Sequence, residues 1–345
     1  MKAVCSRSRL IAILEKMRTV SIGVVGDFAL DGYWHADMTR AQISRETPLH
    51  NRPVIAERYS PGGAANVAWN LADLGVGEVS AFTVFGDDWR GVILGDIFDR
   101  LAINREGIII QDDWRTPFYG KVVLHGLQSQ QEDARLDFIN DQPLSKETEV
   151  RLLAGITKKI PDLDALIICD MIPGGIVTPV VTGALVELAE KTPRVFFLAD
   201  SRENLHSFKH MVLKPNEIEA SHLLFPDRDP SAASVGQLIE KMTARAEASG
   251  KPAYITAGEQ GCWLCAPPTA IHIPAVPVSS PLDTVGAGDT FGAALTAALA
   301  SGAEPVEAGF VANLASAVTI RKVGVTGTAS AEEILSVYDA LGSLN

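Results

Sequence analysis

A carboxylate follows two closely spaced glycines late in the chain, in the stretch Asp283-Thr-Val-Gly-Ala-Gly-Asp-Thr-Phe-Gly-Ala293. The apolar residues after Asp289 recur with the period of an amphipathic helix, so Gly286, Ala287 and Gly288 lie at a helix N-terminus. Free N–H groups and the positive end of the helix dipole attract phosphate at such a position. A carboxylate is costly there unless it takes a proton from a hydroxyl that attacks phosphorus, which predicts phosphoryl transfer to an alcohol. The alternative is a helix that merely starts with glycines and an acidic first turn.

Two familiar glycine motifs are excluded at this position. A P-loop requires Gly-Lys followed by Ser or Thr, and neither tripeptide occurs in the chain. A dinucleotide-binding fingerprint that began at Gly286 would need a glycine where Phe291 stands.

Carboxylates and glycines near the N-terminus form a second group of candidates. Asp27 and Asp31 follow the first apolar run, where two carboxylates can hold the hydroxyls of a sugar or polyol. Gly62 and Gly63 allow a ligand close to the backbone, and Asn66 can donate to and accept from hydroxyls. The alternatives are an acidic surface turn and a tight turn that opens a helix.

A third group lies in the second half of the chain. Asn216 can cap the helix that follows it, and Glu219, one turn in, can hold Mg²⁺ through water; capping alone also explains this pair. The segment Thr256–Gly261 is a strand end followed by a glycine turn, which indicates either a wall for a nucleotide or a plain hairpin. Asn313, within the helical pattern Pro305–Ile320, is expected to face the same cleft.

The elements that position these residues follow from the apolar pattern. Short runs of continuous apolar residues predict strands that are buried on both faces, hence a mostly parallel sheet flanked by helices. The runs are Val20–Val25, Val79–Val84, Ala165–Cys169, Val195–Leu198, Met211–Leu213 and Ala253–Thr256. The helical patterns between them are Ala64–Leu74, Asp88–Leu101, Pro179–Lys191, Glu217–Leu224 and Ser234–Ser249. Ligands of such sheets bind beyond the carboxyl ends of the strands.

Two segments interrupt this alternation. Residues 31–60 mix aromatic and charged side chains without a helical period, and residues 116–140 have a strand pattern. Together they predict a small sheet that lies over the main domain as a lid. At the N-terminus, Leu10, Ile13, Leu14 and Met17 share one helical face and predict a short helix packed on the body.

Composition limits the function classes. The chain has 345 residues, 47% of them hydrophobic, and a net charge of −12, which argues against nucleic acid or an anionic membrane as partner. No targeting segment or membrane span is apparent, and four cysteines without a disulfide pattern fit a reducing cytoplasm. The Cys262-Trp-Leu-Cys265 pair lacks the second pair of a zinc site and lies in a predicted strand, so we interpret both as structural cysteines.

The order and spacing of these motifs resemble those of the ribokinase-like (phosphofructokinase-B-type) carbohydrate kinases, over about residues 23–327. Asp283-Thr-Val-Gly-Ala-Gly-Asp289 is the most specific part. Gly62-Gly63-x-x-Asn66, Asn216-x-x-Glu219 and Thr256-x-Gly-Glu-x-Gly261 support it. The resemblance implies a single domain over residues 1–345, with a three-layer α/β/α fold, a mostly parallel central sheet and a small β-sheet lid. It also implies that the γ-phosphoryl group of ATP is transferred to a sugar hydroxyl in a reaction that depends on Mg²⁺.

The resemblance also implies a role for each matching residue. Asp289 is the base, and the amides of Gly286, Ala287 and Gly288 stabilise the transferred phosphoryl group. The implied sugar-binding residues are Asp27, Asp31, Gly62, Gly63, Asn66 and Arg135. The implied nucleotide and ion sites involve Asn216, Glu219, Thr256, Gly258, Gly261 and Asn313. Asp283 and Val285 match positions that hold a monovalent cation in many members, which makes K⁺ a candidate activator.

Within this family, several segments look like the kinase domain of bacterial ADP-heptose biosynthesis enzymes, which phosphorylates the anomeric hydroxyl of D-glycero-D-manno-heptose 7-phosphate. They are residues 26–34, 43–48, 61–68, 130–131 and 135–138. Two departures are expected from this branch: no lysine stands near position 173, and we expect no nucleotidyltransferase domain to follow the kinase. The alternatives are a kinase for another sugar, sugar acid or nucleoside, and a non-catalytic binding regulator. A homodimer through the lid is expected, because the apolar residues of the lid need cover.

Overall fold

The computed structural model describes residues 4–230 and 233–342. Its helices are α1 Arg7–Met17, α2 Ala64–Asp73, α3 Trp89–Arg100, α4 Lys146–Lys159, α5 Pro179–Lys191, α6 Glu217–Leu224, α7 Val235–Ser249, α8 Ala287–Ala300, α9 Pro305–Thr319 and α10 Ala331–Gly342. Its strands are β1 Ser21–Gly26, β2 Phe28–Asp37, β3 Val54–Gly63, β4 Glu78–Phe85, β5 Asn104–Ile110, β6 Phe118–His125, β7 Gln130–Phe138, β8 Ala165–Asp170, β9 Phe196–Ser201, β10 Val212–Leu213, β11 Ala253–Thr256, β12 Cys262–Cys265 and β13 Ile271–Ile273.

The central sheet has nine strands in the order β13-β12-β11-β10-β9-β8-β1-β4-β5. Neighbours from β5 to β11 are parallel, and β12 and β13 add an antiparallel edge. Helices cover both faces, so each central strand is buried on two sides: Ile22 and Val24 enter one hydrophobic core and Val25 enters the other. This three-layer arrangement confirms the predicted fold class.

A second, smaller sheet has the strand order β3-β2-β6-β7, and we call it the lid. Its strands β2 and β6 pair in parallel, although they are far apart in the chain. The ring of Phe118 is fully buried and packs against Trp34, Trp89 and Phe138 at centroid distances of 5.3–5.6 Å. Because Trp89 belongs to α3, this aromatic cluster fastens the lid to the main domain.

Helix α1 and the strand that holds Cys262 and Cys265 both form as the sequence predicts. In α1, the four apolar residues of the predicted face are buried, and Ser6 caps the helix. The Cys262–Cys265 stretch is a strand in which both cysteines are free and buried, and burial raises the pKa values of their thiols to about 12 and about 11. No helix in the described ranges is long and apolar enough to cross a membrane.

Candidate active site

A cavity of about 330 Å³ lies beyond the carboxyl ends of the central strands, between the start of α8 and the lid. Its walls combine two carboxylates, three cations and the glycine backbone that opens α8. The lining residues are Asp31, Tyr33, Gly63, Tyr119, Lys121, Arg135, Met171, Ile172, Arg202, Val285, Gly286, Gly288, Asp289 and Thr326. Seven of the residues singled out from the sequence therefore share one cavity.

The glycine segment begins α8 as the sequence pattern predicts. Gly286 is the N-cap residue and has a φ of +79°, a conformation that glycine adopts without strain. The Ala287 amide donates to the Thr284 carbonyl at 3.2 Å and does not line the cavity, whereas Gly286 and Gly288 do. This end of the helix combines the positive dipole with close backbone approach, and it suits an anion.

Asp289 lies in the first turn of α8, on the cavity wall. Burial raises the pKa of this carboxyl to about 6, and the hydrogen bond from Asn66 opposes that rise. The donor is the Asn66 Nδ2 group, 2.8 Å from Oδ2 of Asp289. A carboxylate with a pKa near the working pH, held beside an anion site, is suited to general base catalysis.

A polar network behind Asp289 fixes its partner. The Asn70 side chain donates to the Asn66 carbonyl at 2.9 Å and to the Asn66 Oδ1 atom at 3.3 Å. The hydroxyl of Thr290 in turn donates to Oδ1 of Asn70 at 2.7 Å. The backbone and side-chain oxygens of Asn66 thus accept from Asn70, and the side-chain nitrogen of Asn66 donates to Asp289. Asn66 is therefore a positioning residue for the base. Asn70 and Thr290 were not singled out from the sequence.

Lys214 lies behind the start of α8 and was also not singled out from the sequence. Its Nζ atom lies 2.9 Å from Oδ2 of Asp200, and both side chains are buried. Burial alone would lower the pKa of Lys214, but the charges of Asp200, Glu219 and Asp289 together with the hydrogen bond to Asp200 raise it. A methyl group placed on Gly288 would lie 4.0 Å from Nζ, so this ammonium lies beside the glycine end of α8. It adds fixed positive charge where a phosphoryl group would be held.

Asp31 occupies the opposite side of the cavity. The Thr326 hydroxyl donates to its Oδ2 atom at 3.1 Å, and burial raises the pKa of the carboxyl to about 7. Gly62 explains how this side chain fits, because a Cβ atom there would come within 2.3 Å of Oδ1 of Asp31. Gly63 has a φ of +54° and lines the cavity itself. Asp31 is thus free to accept hydrogen bonds from a ligand hydroxyl.

Asp27 has a different position from the one that its spacing indicates. Its carboxylate is buried, and it accepts hydrogen bonds from the amides of Met171, Ile172 and Ile176 at 3.2, 3.0 and 2.8 Å. These bonds hold the loop that follows β8, and that loop contributes Met171 and Ile172 to the cavity. Asp27 therefore shapes the wall from behind and does not line it.

Three cations line the lid side of the cavity. Lys121 and Arg135 come from neighbouring strands of the lid, and Arg202 follows β9. Arg135 bonds Asp137 and lies 4.9 Å from the centre of the Tyr119 ring. In the described ranges, no residue accepts a hydrogen bond from the guanidinium of Arg202. Arg135 was predicted from the sequence, but Lys121 and Arg202 were not, because each of these two stands alone in its segment without a motif.

The residues assigned to the nucleotide and Mg²⁺ lie on neighbouring strands. Asn216 and Glu219 form a reciprocal capping box: the Glu219 amide donates to Oδ1 of Asn216, and the Asn216 amide donates to Oε2 of Glu219. Asn216 also forms a β-bridge to Thr256, at the carboxyl ends of β10 and β11. The capping alternative is thus realised, and it leaves one Glu219 oxygen for an ion.

Gly258, Gly261 and Asn313 are not equivalent. Gly258 has a φ of +51° and open space around it. Gly261 is closely packed, since a Cβ atom there would come within 2.3 Å of the Ile273 carbonyl oxygen. The buried Asn313 side chain donates to the carbonyls of Ile273 and Pro274 at 3.0 and 3.1 Å, which anchors the end of β13. Of these three residues, Gly258 is the one that leaves room for a ligand.

Asp283 and Val285 lie in the loop that leads into α8. Oδ1 of Asp283 accepts from the Val285 amide at 3.0 Å, and Oδ2 accepts from the Gly324 amide at 2.9 Å. The carboxylate thus joins two loops and places a negative charge between them. Carboxylate and carbonyl oxygens are the donors that alkali cations prefer, so the residues fit such an ion.

The fold and the cavity define a phosphoryl-transferring α/β enzyme, and comparison with known proteins specifies its family. The description "pfkB family carbohydrate kinase" matches residues 34–332. A crystal structure of phosphofructokinase-2 from Escherichia coli in complex with potassium superposes with a TM-score of 0.71 at 20% identity, covering 94% of this chain and 99% of that chain. The ribokinase of Arabidopsis thaliana, complexed with ribose and ATP, superposes with a TM-score of 0.66 at 18% identity, covering 92% of this chain and 98% of that chain.

The chain belongs to the pfkB family of carbohydrate kinases. It is accordingly a phosphotransferase with an alcohol group as acceptor, and kinases of this family use ATP, typically with Mg²⁺. A curated relative, the bifunctional protein HldE of Pelobacter propionicus, is 31% identical over 340 residues, which cover 96% of this chain and 66% of that protein. The chain thus spans just under two thirds of the length of this relative.

Proposed function

We propose that this protein transfers the γ-phosphoryl group of ATP to the anomeric hydroxyl of D-glycero-D-manno-heptose 7-phosphate. The observation that carries this proposal is the trio of Lys121, Arg135 and Arg202, which line the same cavity as the carboxylates of Asp31 and Asp289. A neutral sugar needs hydroxyl-binding carboxylates but no cluster of cations. A sugar that already bears a phosphate needs both.

These three cations also compensate for the lysine that is missing near position 173. The segment near position 173, where the resemblance leads one to expect a lysine, contributes Met171 and Ile172 to the cavity. In this chain the positive charge comes from the lid and from Arg202 instead. The heptose assignment draws further support from the motifs shared with that branch and from the alignment with a bifunctional HldE protein over 96% of the chain.

The residues divide the work as follows. Asp31 and the backbone at Gly63 hold sugar hydroxyls, and Lys121, Arg135 and Arg202 hold the phosphate of the acceptor. Asp289, ionised and aligned by Asn66, accepts the proton of the attacking hydroxyl, while the Gly286–Gly288 backbone and Lys214 stabilise charge on the group in transfer. ATP supplies the transferable phosphoryl group and leaves as ADP, and Mg²⁺ bound with it would neutralise the charge of the phosphates. Base assistance contributes ~10²–10⁴-fold, and positioning and electrostatics supply the rest.

The remaining assignments belong to the same proposal. Glu219 holds Mg²⁺ through water, and Asn216, Thr256 and Gly258 border the nucleotide. Asp283 and the Val285 carbonyl hold K⁺ as an activator. Residues 1–345 form one kinase domain, with a lid built from about 31–60 and 116–140, and the protein works in the cytoplasm as a homodimer through the lid.

The test is ATP consumption with Mg²⁺ and K⁺ across a panel of sugars, headed by D-glycero-D-manno-heptose 7-phosphate and including its unphosphorylated form. We expect turnover on the phosphorylated heptose, lost by ~10²–10⁴-fold in Asp289→Asn. Arg202→Met is expected to raise KM for the phosphorylated heptose and to leave KM for ATP unchanged. Turnover on another sugar alone would refute the heptose assignment and keep the mechanism. Absence of turnover on every sugar, with binding unaffected by Asp289→Asn, would favour a binding regulator.

A further inference from the structure

A second cavity, of about 290 Å³, lies at the amino ends of the parallel strands, whereas the active site lies at their carboxyl ends. It is bordered by the residues that enter β10 and β11 and by the last two turns of α7. The active-site residues Lys214, Asn216 and Thr256 stand at the carboxyl ends of the same two strands. The second cavity is therefore a separate site, and nothing in the proposed kinase mechanism uses it.

The cavity has an apolar floor. Phe208, Met211, Leu213 and Met242 are buried side chains that line it, with Ala246 and Ala253 between them. Its volume is near the lower end of the range of about 300–1,000 Å³ that is typical of small-molecule sites. A floor of this kind suits an apolar or aromatic body of one or two rings.

The rim of the cavity is basic. Lys209, Arg245 and Lys251 line it together with His206 and His210, and none of the described residues that line it carries a carboxylate. This is notable in a chain with 42 acidic and 30 basic residues. Positive side chains near the end of α7 also complement the helix dipole, but that effect reaches only the last turn and does not require a cavity.

Arg245 distinguishes this site from an ordinary basic surface. Its guanidinium is partly buried, and burial lowers its pKa. Across the described ranges, no residue accepts a hydrogen bond from it and no carboxylate pairs with it. Partly burying a charge without a partner costs free energy, and an anion in the cavity would recover that cost.

We propose that this cavity binds a small amphiphilic anion, in which an apolar or aromatic body carries one phosphate, sulfonate or carboxylate group. The body lies on Phe208, Met211 and Met242, and the anionic group pairs with Arg245 and Lys209 at the rim. Strand β10 separates the two sites: Leu213 lines this cavity, and the next residue, Lys214, belongs to the active site.

The probe for this site is 8-anilinonaphthalene-1-sulfonate, an aromatic sulfonate whose fluorescence reports binding, titrated into the full-length protein with saturating ATP and Mg²⁺ present. We expect one saturable site whose affinity falls with ionic strength. Arg245→Met keeps the stem and removes the charge, and it should raise the Kd of the dye by about tenfold or more. Lys209→Met, at an exposed position that folding does not depend on, should raise it severalfold.

Arg151→Met is the matched control, because Arg151 is exposed on α4 and lines neither cavity. It removes the same charge and should leave the Kd of the dye unchanged. Three results would each overturn the proposal: no saturable binding, displacement of the dye by ATP with Mg²⁺, or equal affinities of the wild type, Arg245→Met and Lys209→Met. If Arg245→Met fails to fold, Lys209→Met alone decides.

Discussion

Asp31 and Asp289 face each other across one cavity, and burial raises the pKa of both carboxyls, to about 7 and about 6. The charge of Asp289 adds to the rise at Asp31, so the two titrations are linked. A base must be ionised before it can accept a proton, whereas a sugar-binding carboxyl can accept hydrogen bonds when ionised and can also donate one when protonated. The two groups thus suit different tasks although both are aspartates.

The raised pKa of Asp289 leads to a prediction for pH dependence. Because the protonated form cannot act as a base, kcat/KM should fall as the pH drops through about 6, with a slope that approaches one proton. A pH–rate profile from pH 5 to 9 measures this fall in kcat/KM, which is the acidic limb of the profile. A limb near pH 4, the ordinary value for an aspartate, would contradict the buried environment described for Asp289.

Asn66 provides a second prediction at this scale. Its hydrogen bond favours the ionised form of Asp289, so Asn66→Ala should raise the pKa of the acidic limb and lower kcat by about tenfold or more. The limb and kcat are both read from the pH–rate profile of the variant. Asn313→Ala is the control, since Asn313 anchors β13: it should lower the unfolding midpoint without moving the limb.

Residues with a motif were predictable, and residues that act through tertiary contacts were not. Asp289 and Gly286 could be predicted because the glycine spacing and the helical period lie within one short segment of the sequence. The role of Asn66 could not, because its partner is 223 positions away. Lys121 and Arg202 carry no local signal, and only the pairing of strands brings them to one cavity.

At the scale of elements, the turn from β3 into α2 depends on the lack of a side chain at Gly62. Gly62→Ala would place a methyl group 2.3 Å from Oδ1 of Asp31, which must then move. We expect KM for the sugar to rise by about tenfold while KM for ATP stays constant. Gly183→Ala, in open space on α5, is the control and should add about 0.5–1 kcal/mol of stability without a kinetic effect.

The loop after β8 depends on Asp27. Asp27→Ala would leave three buried or partly buried amides without an acceptor. The expected loss in the free energy of unfolding is about 3 kcal/mol or more, measured by urea denaturation. Asp96→Ala, on the exposed side of α3, should change it by less than about 0.5 kcal/mol. An Asp27→Ala protein as stable as the wild type would show that the loop is held by other contacts.

Elements were predictable where burial was uniform. The β11 and α5 bounds follow from apolar runs and an N-terminal proline, and the structure has them at Ala253–Thr256 and Pro179–Lys191. Strands β5 and β13, at the two edges of the central sheet, were not predicted from the sequence. Edge strands are partly exposed, so their pattern lacks the continuous apolarity that marks the buried strands.

For the whole molecule, the exposed apolar side chains of the lid carry the prediction of a dimer. Val54, Ile55 and Leu136 are 52%, 54% and 45% exposed on the two outer strands β3 and β7. Light scattering at micromolar concentration should give the mass of a dimer. Ile55→Glu should produce a monomer, and Val180→Glu, at an equally exposed position on α5, should not. A monomeric wild type would contradict the proposed assembly.

The parallel pairing of β2 with β6 also has a consequence for the order of folding. These strands are separated by β3, α2, β4, α3 and β5, so their contact closes a long stretch of chain and is expected to form late, after the central sheet. The same contacts should open first in the folded protein. Amide hydrogens of the lid are therefore expected to exchange with solvent through openings that leave the central sheet protected, and a bound sugar, by bridging the two, would slow that exchange.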